Sequence, residues 1–149
     1  MNTYGTVVVL HLLGACVWVG WHLALAFSLL PQALRVQDNF LWHRIESVYR
    51  TVGIPALVVQ TMTGFLLAYG HLPRVGSWFD FDNPMGRLIG MKILLLALTF
   101  GLGIDLRFRL LPRIETTGLG ILRWHVALIT VLSVLLAFVG ASFRIGWLY

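Results

Sequence analysis

The chain has 149 residues, of which 58% are hydrophobic and 11% charged, with a formal net charge of +5. A soluble domain of this length needs about a quarter of its residues charged, so the composition excludes an ordinary soluble fold and indicates an integral membrane protein. Eleven Lys and Arg would suggest nucleic acid in a soluble chain, but here they flank apolar runs and form no basic block, which excludes that partner.

The opening residues Met1-Asn-Thr-Tyr-Gly carry no positive charge, and the apolar run behind them is longer than a signal-peptide core, so no cleavable leader is expected. Segment one is predicted over 4–31, ending at Pro31, where a helix is hard to continue. It is long enough to cross a bilayer, yet it holds His11 and His22. Eleven residues is about three turns, so both rings share a face about 16 Å apart in depth, with Trp18 on the same face. Ionisable groups inside a membrane helix are costly and usually face the bundle interior, where they have work to do. The lone Cys16 excludes an internal disulfide.

Residues 32–50 form a polar connector with Arg35, Asp38, His43, Arg44, Glu46 and Arg50, in which 38–49 suits a short interfacial helix. Segment two is predicted over 51–72, with Pro55 tolerated in its first turn. Gly53, Gln60, Gly64 and His71 form one small or polar stripe that should face other helices. The loop 72–84 carries aromatics suited to an interface, and its Asp80 and Asp82 read as solvated. Segment three is predicted over 86–111, with Lys92 two turns in and Arg107 and Arg109 near its end. Segment four is predicted over 119–147, with His125 near its start.

The fold class is therefore all-α: one transmembrane domain over 1–149, built as a four-helix up-and-down bundle. Alternating spans place Arg35, Arg44, Arg50, Arg107, Arg109, Arg113 and Arg123 on one side and Arg74, Arg87, Lys92 and Arg144 on the other. The positive-inside rule then puts both termini on the non-cytoplasmic side of a bacterial-type inner membrane.

With these boundaries, His22 lies about eight residues from the cytoplasmic end of segment one and His125 about six from that of segment four, a match within about 3 Å. Two imidazoles facing each other across a bundle suit the axial positions of a b-type haem. Gly14, Gly20, Gly53, Gly64 and Gly103 offer room for the macrocycle, and cytoplasmic arginines offer partners for propionates. The plainer alternative is that each histidine only hydrogen-bonds a carbonyl or serine. His11 and His71 could form a second centre near the outer face, although their depths differ by about 9 Å. Copper is the other chemistry: Cu(I) takes soft sulfur and accepts imidazole, and His11, His71, Met85 and Met91 stand on the outer side. Cys16 and Met62 read as ordinary apolar residues. Lys92 either snorkels to the interface or neutralises an anionic group on a ligand. No nucleophile triad, carboxylate pair, phosphate loop or CxxC is present.

The opening His11-(x6)-Trp18-Val-Gly20, then Thr63-Gly64, then Met85-Gly86-Arg87-Leu-(x3)-Lys92 with an arginine-rich helix end resemble the copper-resistance protein D (CopD) family over about the first 115 residues. They are more distantly similar to the HemJ-type protoporphyrinogen oxidases. The first resemblance implies copper transport across the inner membrane, and the second a haem-containing porphyrinogen oxidase. Both mark His11, Trp18, Gly20 and Lys92. Where the HemJ pattern has Asn-Glu-Pro at the start of the last helix, this chain has Arg123-Trp124-His125, adding a histidine that axial haem ligation explains.

The leading expectation is thus a membrane haem b protein with one or two haems, ligated by His22 and His125, with His11 and His71 at the second centre. It would move electrons in the membrane as an oxidoreductase, with a quinol or redox protein as partner. A CopD-like copper protein and a HemJ-like oxidase are the alternatives, and a homo-oligomer stays open. A cofactor-free anchor subunit is a third class.

Overall fold

A computed structural model describes residues 2–36, 39–110 and 119–148, with the side chains of 36, 39–43, 119 and 120 outside that description. Asp38, Pro112 and Arg113 therefore lie outside the described residues, as does the side chain of His43. Among the described residues, four helical stretches are long and apolar enough to cross a membrane: Thr3–Arg35, Arg44–His71, Pro84–Leu110 and Ile121–Ile145. The protein is an all-α, multi-pass membrane bundle.

Span one is α1 (Thr3–Ala24), a π-helical turn (Leu25–Leu29) and α2 (Leu30–Val36). Asn2 starts it by accepting the Tyr4 N–H on its side chain, satisfying one of the donors a helix start leaves free. Span two is α3 (Asn39–Val48), a second π-turn (Tyr49–Gly53) and α4 (Ile54–His71). A short 3-10 turn, Val75–Phe79, leads to α5 (Pro84–Asp105), which runs into a third π-turn, Leu106–Leu110. Pro84 occupies the first turn of α5, and Asn83 caps it through the Met85 N–H at 2.9 Å. The last element is α6 (Leu119–Ile145). It ends at Gly146, whose φ of 69° needs no Cβ penalty, with its N–H on the Ser142 carbonyl.

Two expected boundaries are corrected. Pro31 does not end the first helix, and residues 39–49 run on into span two and form no separate interfacial turn. The physical reason is common to both. A proline ring clashes with the carbonyl four residues back, which is Phe27 for Pro31 and Thr51 for Pro55. Each of these carbonyls lies inside a π-turn, where Leu30 bonds back to Leu25 and Ile54 to Tyr49. The wider turn gives the ring room, and the helix passes through.

The seams decide where side chains meet. The closest packing pairs α1 with α4 and α5 with α6, and α6 also lies against α1. Gly14 lets α1 and α4 approach: a Cβ there would sit 3.2 Å from both the Ala56 carbonyl and Gln60 Cβ. One core cluster joins Leu25, Leu30, Ile45, Leu122 and Val126 at the end away from Asn2 and Leu148, and another joins Trp18, Leu57 and Ile129 midway. Outward-facing Met62 and Cys16 are exposed, as residues on a lipid-facing surface.

Candidate functional site

The α1–α4 seam orients His11. Its Nδ1 lies 3.0 Å from the Gln60 carbonyl and 3.0 Å from Thr63 Oγ1. The Thr63 hydroxyl spends its own proton on the Val59 carbonyl at 2.6 Å, so its oxygen is free to accept. Nδ1 therefore carries the hydrogen and donates to both acceptors. Nε2 keeps its lone pair and has no hydrogen-bond partner among the described residues. This is the arrangement of metal-binding histidines, in which one nitrogen is tied to a carbonyl and the other presents its lone pair. Gly64 makes it fit: a Cβ there would stand 3.2 Å from His11 Cε1.

Lys92 of α5 stands over Phe143 of α6. Its Nζ lies 5.6 Å from the centre of the Phe143 ring and 3.4 Å from where a Cβ on Gly140 would be. His71 approaches the same Phe143 ring at 6.0 Å and Tyr4 at 6.5 Å, with Nδ1–H donating to the Leu67 carbonyl. His71 is exposed and stands seven residues beyond Gly64, about 10 Å along α4. His11 and His71 thus mark two depths of one seam. Met85 and Met91 are partly buried on α5.

The C-terminal half of α1 is built differently. His22 is 3% exposed and Trp18 2% exposed, and their rings lie 4.2 Å apart. His22 Nδ1–H donates to the Trp18 carbonyl within its own helix at 2.9 Å. Tyr49 meets both rings, at 6.3 Å from Trp18 and edge-on at 6.5 Å from His22. The Trp18 indole N–H finds no acceptor among the described residues.

The structure does not bring His22 and His125 to one level. The Thr130 hydroxyl, which donates to the Val126 carbonyl at 2.7 Å, also lies 3.3 Å from the His22 carbonyl, so His22 is level with Thr130, and His125 lies five residues, about 7.5 Å, nearer the start of α6. The expected match assumed that span one ends at Pro31, whereas it runs to Arg35. His125 is also engaged at both nitrogens, Nδ1 with the Ile121 carbonyl at 3.1 Å and Nε2 with Asp105 Oδ2 at 2.9 Å. That leaves its ring no spare lone pair. The pair does not form the facing arrangement a single haem iron needs. Of the glycines expected to admit a macrocycle, Gly14, Gly53 and Gly64 are filled by neighbouring atoms and only Gly20 and Gly103 face open space. Among the described residues no group of three or more His, Cys, Asp or Glu could hold a metal ion.

Asp105 escaped the sequence reading. It is the single acid within Pro84–Leu110, and an isolated acid inside an apolar span is itself a signal. Tyr49 and Phe143 carried no such signal, because aromatic residues are common throughout this chain.

The family model described as CopD, copper resistance protein D, matches residues 43–143. The match takes in Thr63, His71, Lys92 and His125 and begins after the helix that carries His11, Trp18 and His22. No curated protein and no solved structure matches, and nothing corresponds to the HemJ-type resemblance.

Proposed function

The chain belongs to the copper resistance protein D (CopD) family, and from that premise we propose that it carries copper across the bilayer, with His11 as a ligand to the passing ion. The observation behind this reading is the free Nε2 of His11, set by the Gln60 carbonyl and Thr63 on a neighbouring helix. Imidazole is an acceptable donor for Cu(I), and a single oriented donor suits a site that must also release its cargo. His71, exposed further out on the same seam, is the group a metal would meet first. The arginines of the connectors, Arg35, Arg44 and Arg50 with Arg107, Arg109 and Arg123, support an orientation with both termini outside the cytoplasm of a bacterial-type inner membrane.

The test is Cu(I) binding by the purified protein in lipid nanodiscs, by competition with a chromogenic chelator, alongside copper accumulation in cells expressing it. His11→Ala should abolish binding and copper-dependent accumulation, while His22→Ala should leave binding intact. Equal affinity in wild type and His11→Ala would overturn the assignment. An optical spectrum of the same sample addresses the alternative of bis-histidine haem b, with electron transfer to a quinol or redox protein. A Soret band lost in His22→Ala would favour it over copper.

A further inference from the structure

We propose that Asp105 and His125 form a proton-binding site that ties α5 to the start of α6, and that release of this proton loosens the tie. The site is separate from His11 and does not depend on copper. His125 Nδ1 lies 3.1 Å from the Ile121 carbonyl, and Nε2 lies 2.9 Å from Asp105 Oδ2. Neither a peptide carbonyl nor a carboxylate has a hydrogen to give, and a neutral imidazole carries only one N–H. With an ionised Asp105 and a neutral ring, one nitrogen would therefore turn its lone pair onto an oxygen lone pair. Both contacts are hydrogen bonds only when the pair holds one proton more. That proton sits on the ring, which then donates at both ends, or on the Asp105 carboxyl, which then donates to Nε2.

The neighbours favour the first arrangement. The second oxygen of Asp105, Oδ1, takes Arg109 at 3.4 Å, so each carboxylate oxygen has its own cationic donor. Arg107, two residues from Asp105, is held by Glu46 of span two at 2.8 Å. Span one meets this turn of α6 with apolar Trp21, Leu25 and Leu29, in one cluster with Leu122 and Val126. His22 of span one faces Tyr49, and Arg35, Arg44, Arg50 and Arg123 are exposed. Asp105 and His125 both lie within segments long enough to cross a membrane, where an acid and a histidine in contact are a natural stopping place for a proton. When the proton leaves to water, the ring keeps a single N–H. The bond to Asp105 is then lost, or it survives without its charge while the Ile121 bond is lost. The joint between α5 and α6 is firm with the proton and looser without it.

The experiment is nitrogen NMR of the histidine-labelled full chain in lipid nanodiscs, with His125→Gln identifying the ring's signals and infrared spectra reading the carboxyl. In neutral buffer, wild type should show hydrogen on both His125 nitrogens. One protonated nitrogen together with a protonated-carboxyl stretch that Asp105→Asn removes would also support the site, with the proton on Asp105. Asp105→Asn is nearly isosteric, and its amide N–H can donate to Nε2. Its ring should be neutral, with hydrogen at Nδ1 alone and no such stretch. Unfolding in mixed micelles gives a second reading that needs no labelled signal. The wild-type midpoint should fall as the buffer is taken from mildly acidic to mildly alkaline, and the fall should be smaller in Asp105→Asn, whose bond to the ring needs no extra proton. A bare nitrogen on the wild-type ring without the carboxyl stretch, or the same pH course in both proteins, would overturn the proposal.

Discussion

His11 and His22 occupy the same face of the same helix, eleven residues apart, and the structure treats them as different kinds of residue. His22 is bonded to its own helix and enclosed by Trp18 and Tyr49. Its hydrogen bond would form in an isolated helix. His11 is bonded across to α4, through Gln60 and Thr63, so its ring is aimed only when two helices are packed. A histidine whose partner is four residues back belongs mainly to packing. One whose partner lies on another element is positioned, and positioning is what binding a metal requires.

Substitutions can break this contrast, and the largest effect should be at the pair Trp18 and His22. Trp18→Ala removes a side chain that is 2% exposed and should cost about 3–5 kcal/mol of stability, with Cu(I) affinity retained in the folded fraction. Unfolding in mixed micelles measures it. His11→Ala in the same assay should lose only about 1 kcal/mol while losing copper. Equal losses at both positions would erase the distinction.

Gly64→Leu should lower Cu(I) affinity about 10–100-fold without touching the histidine, because a Cβ already meets His11 Cε1 at 3.2 Å. Gly20→Leu is its control, since nothing lies within 4 Å of that position. If both variants bind equally, the cradle is irrelevant. Thr63→Val should be milder, about tenfold, because the Gln60 carbonyl still accepts from Nδ1. Chelator competition reads both.

Asp105→Asn should have the smallest effect. It loosens His125 near the start of α6, far from the His11 site, and should leave copper affinity unchanged while lowering the unfolding midpoint less than Trp18→Ala does. A copper deficit in this variant would mean that this end of the bundle takes part in binding.

Much of this was legible in the chain itself. The four spans follow from hydropathy, and the stripe Gly53, Gln60, Gly64 and His71 does face other helices over part of its length, where Gly64 touches His11 and the Gln60 carbonyl accepts from it. His22, His71 and His125 each bond the carbonyl four residues back, and His125 also reaches Asp105. The level match of His22 with His125 failed for one reason. Depth was counted from Pro31, and a proline after a π-turn does not end a helix. No local pattern announces that turn, because it depends on how the bulge packs.

The sequence by itself determined the class, the number of spans and the caps, since hydropathy, Asn2, Asn83 and Gly146 act over one turn or along one segment. Only the packed bundle decided which nitrogen of His11 bonds across to α4, that Lys92 meets Phe143, and that His22 stands beside Thr130. Those facts depend on the register between helices distant in the chain. Apolar faces of nearly uniform composition do not encode register locally, and close packing around glycines and single hydroxyls sets it.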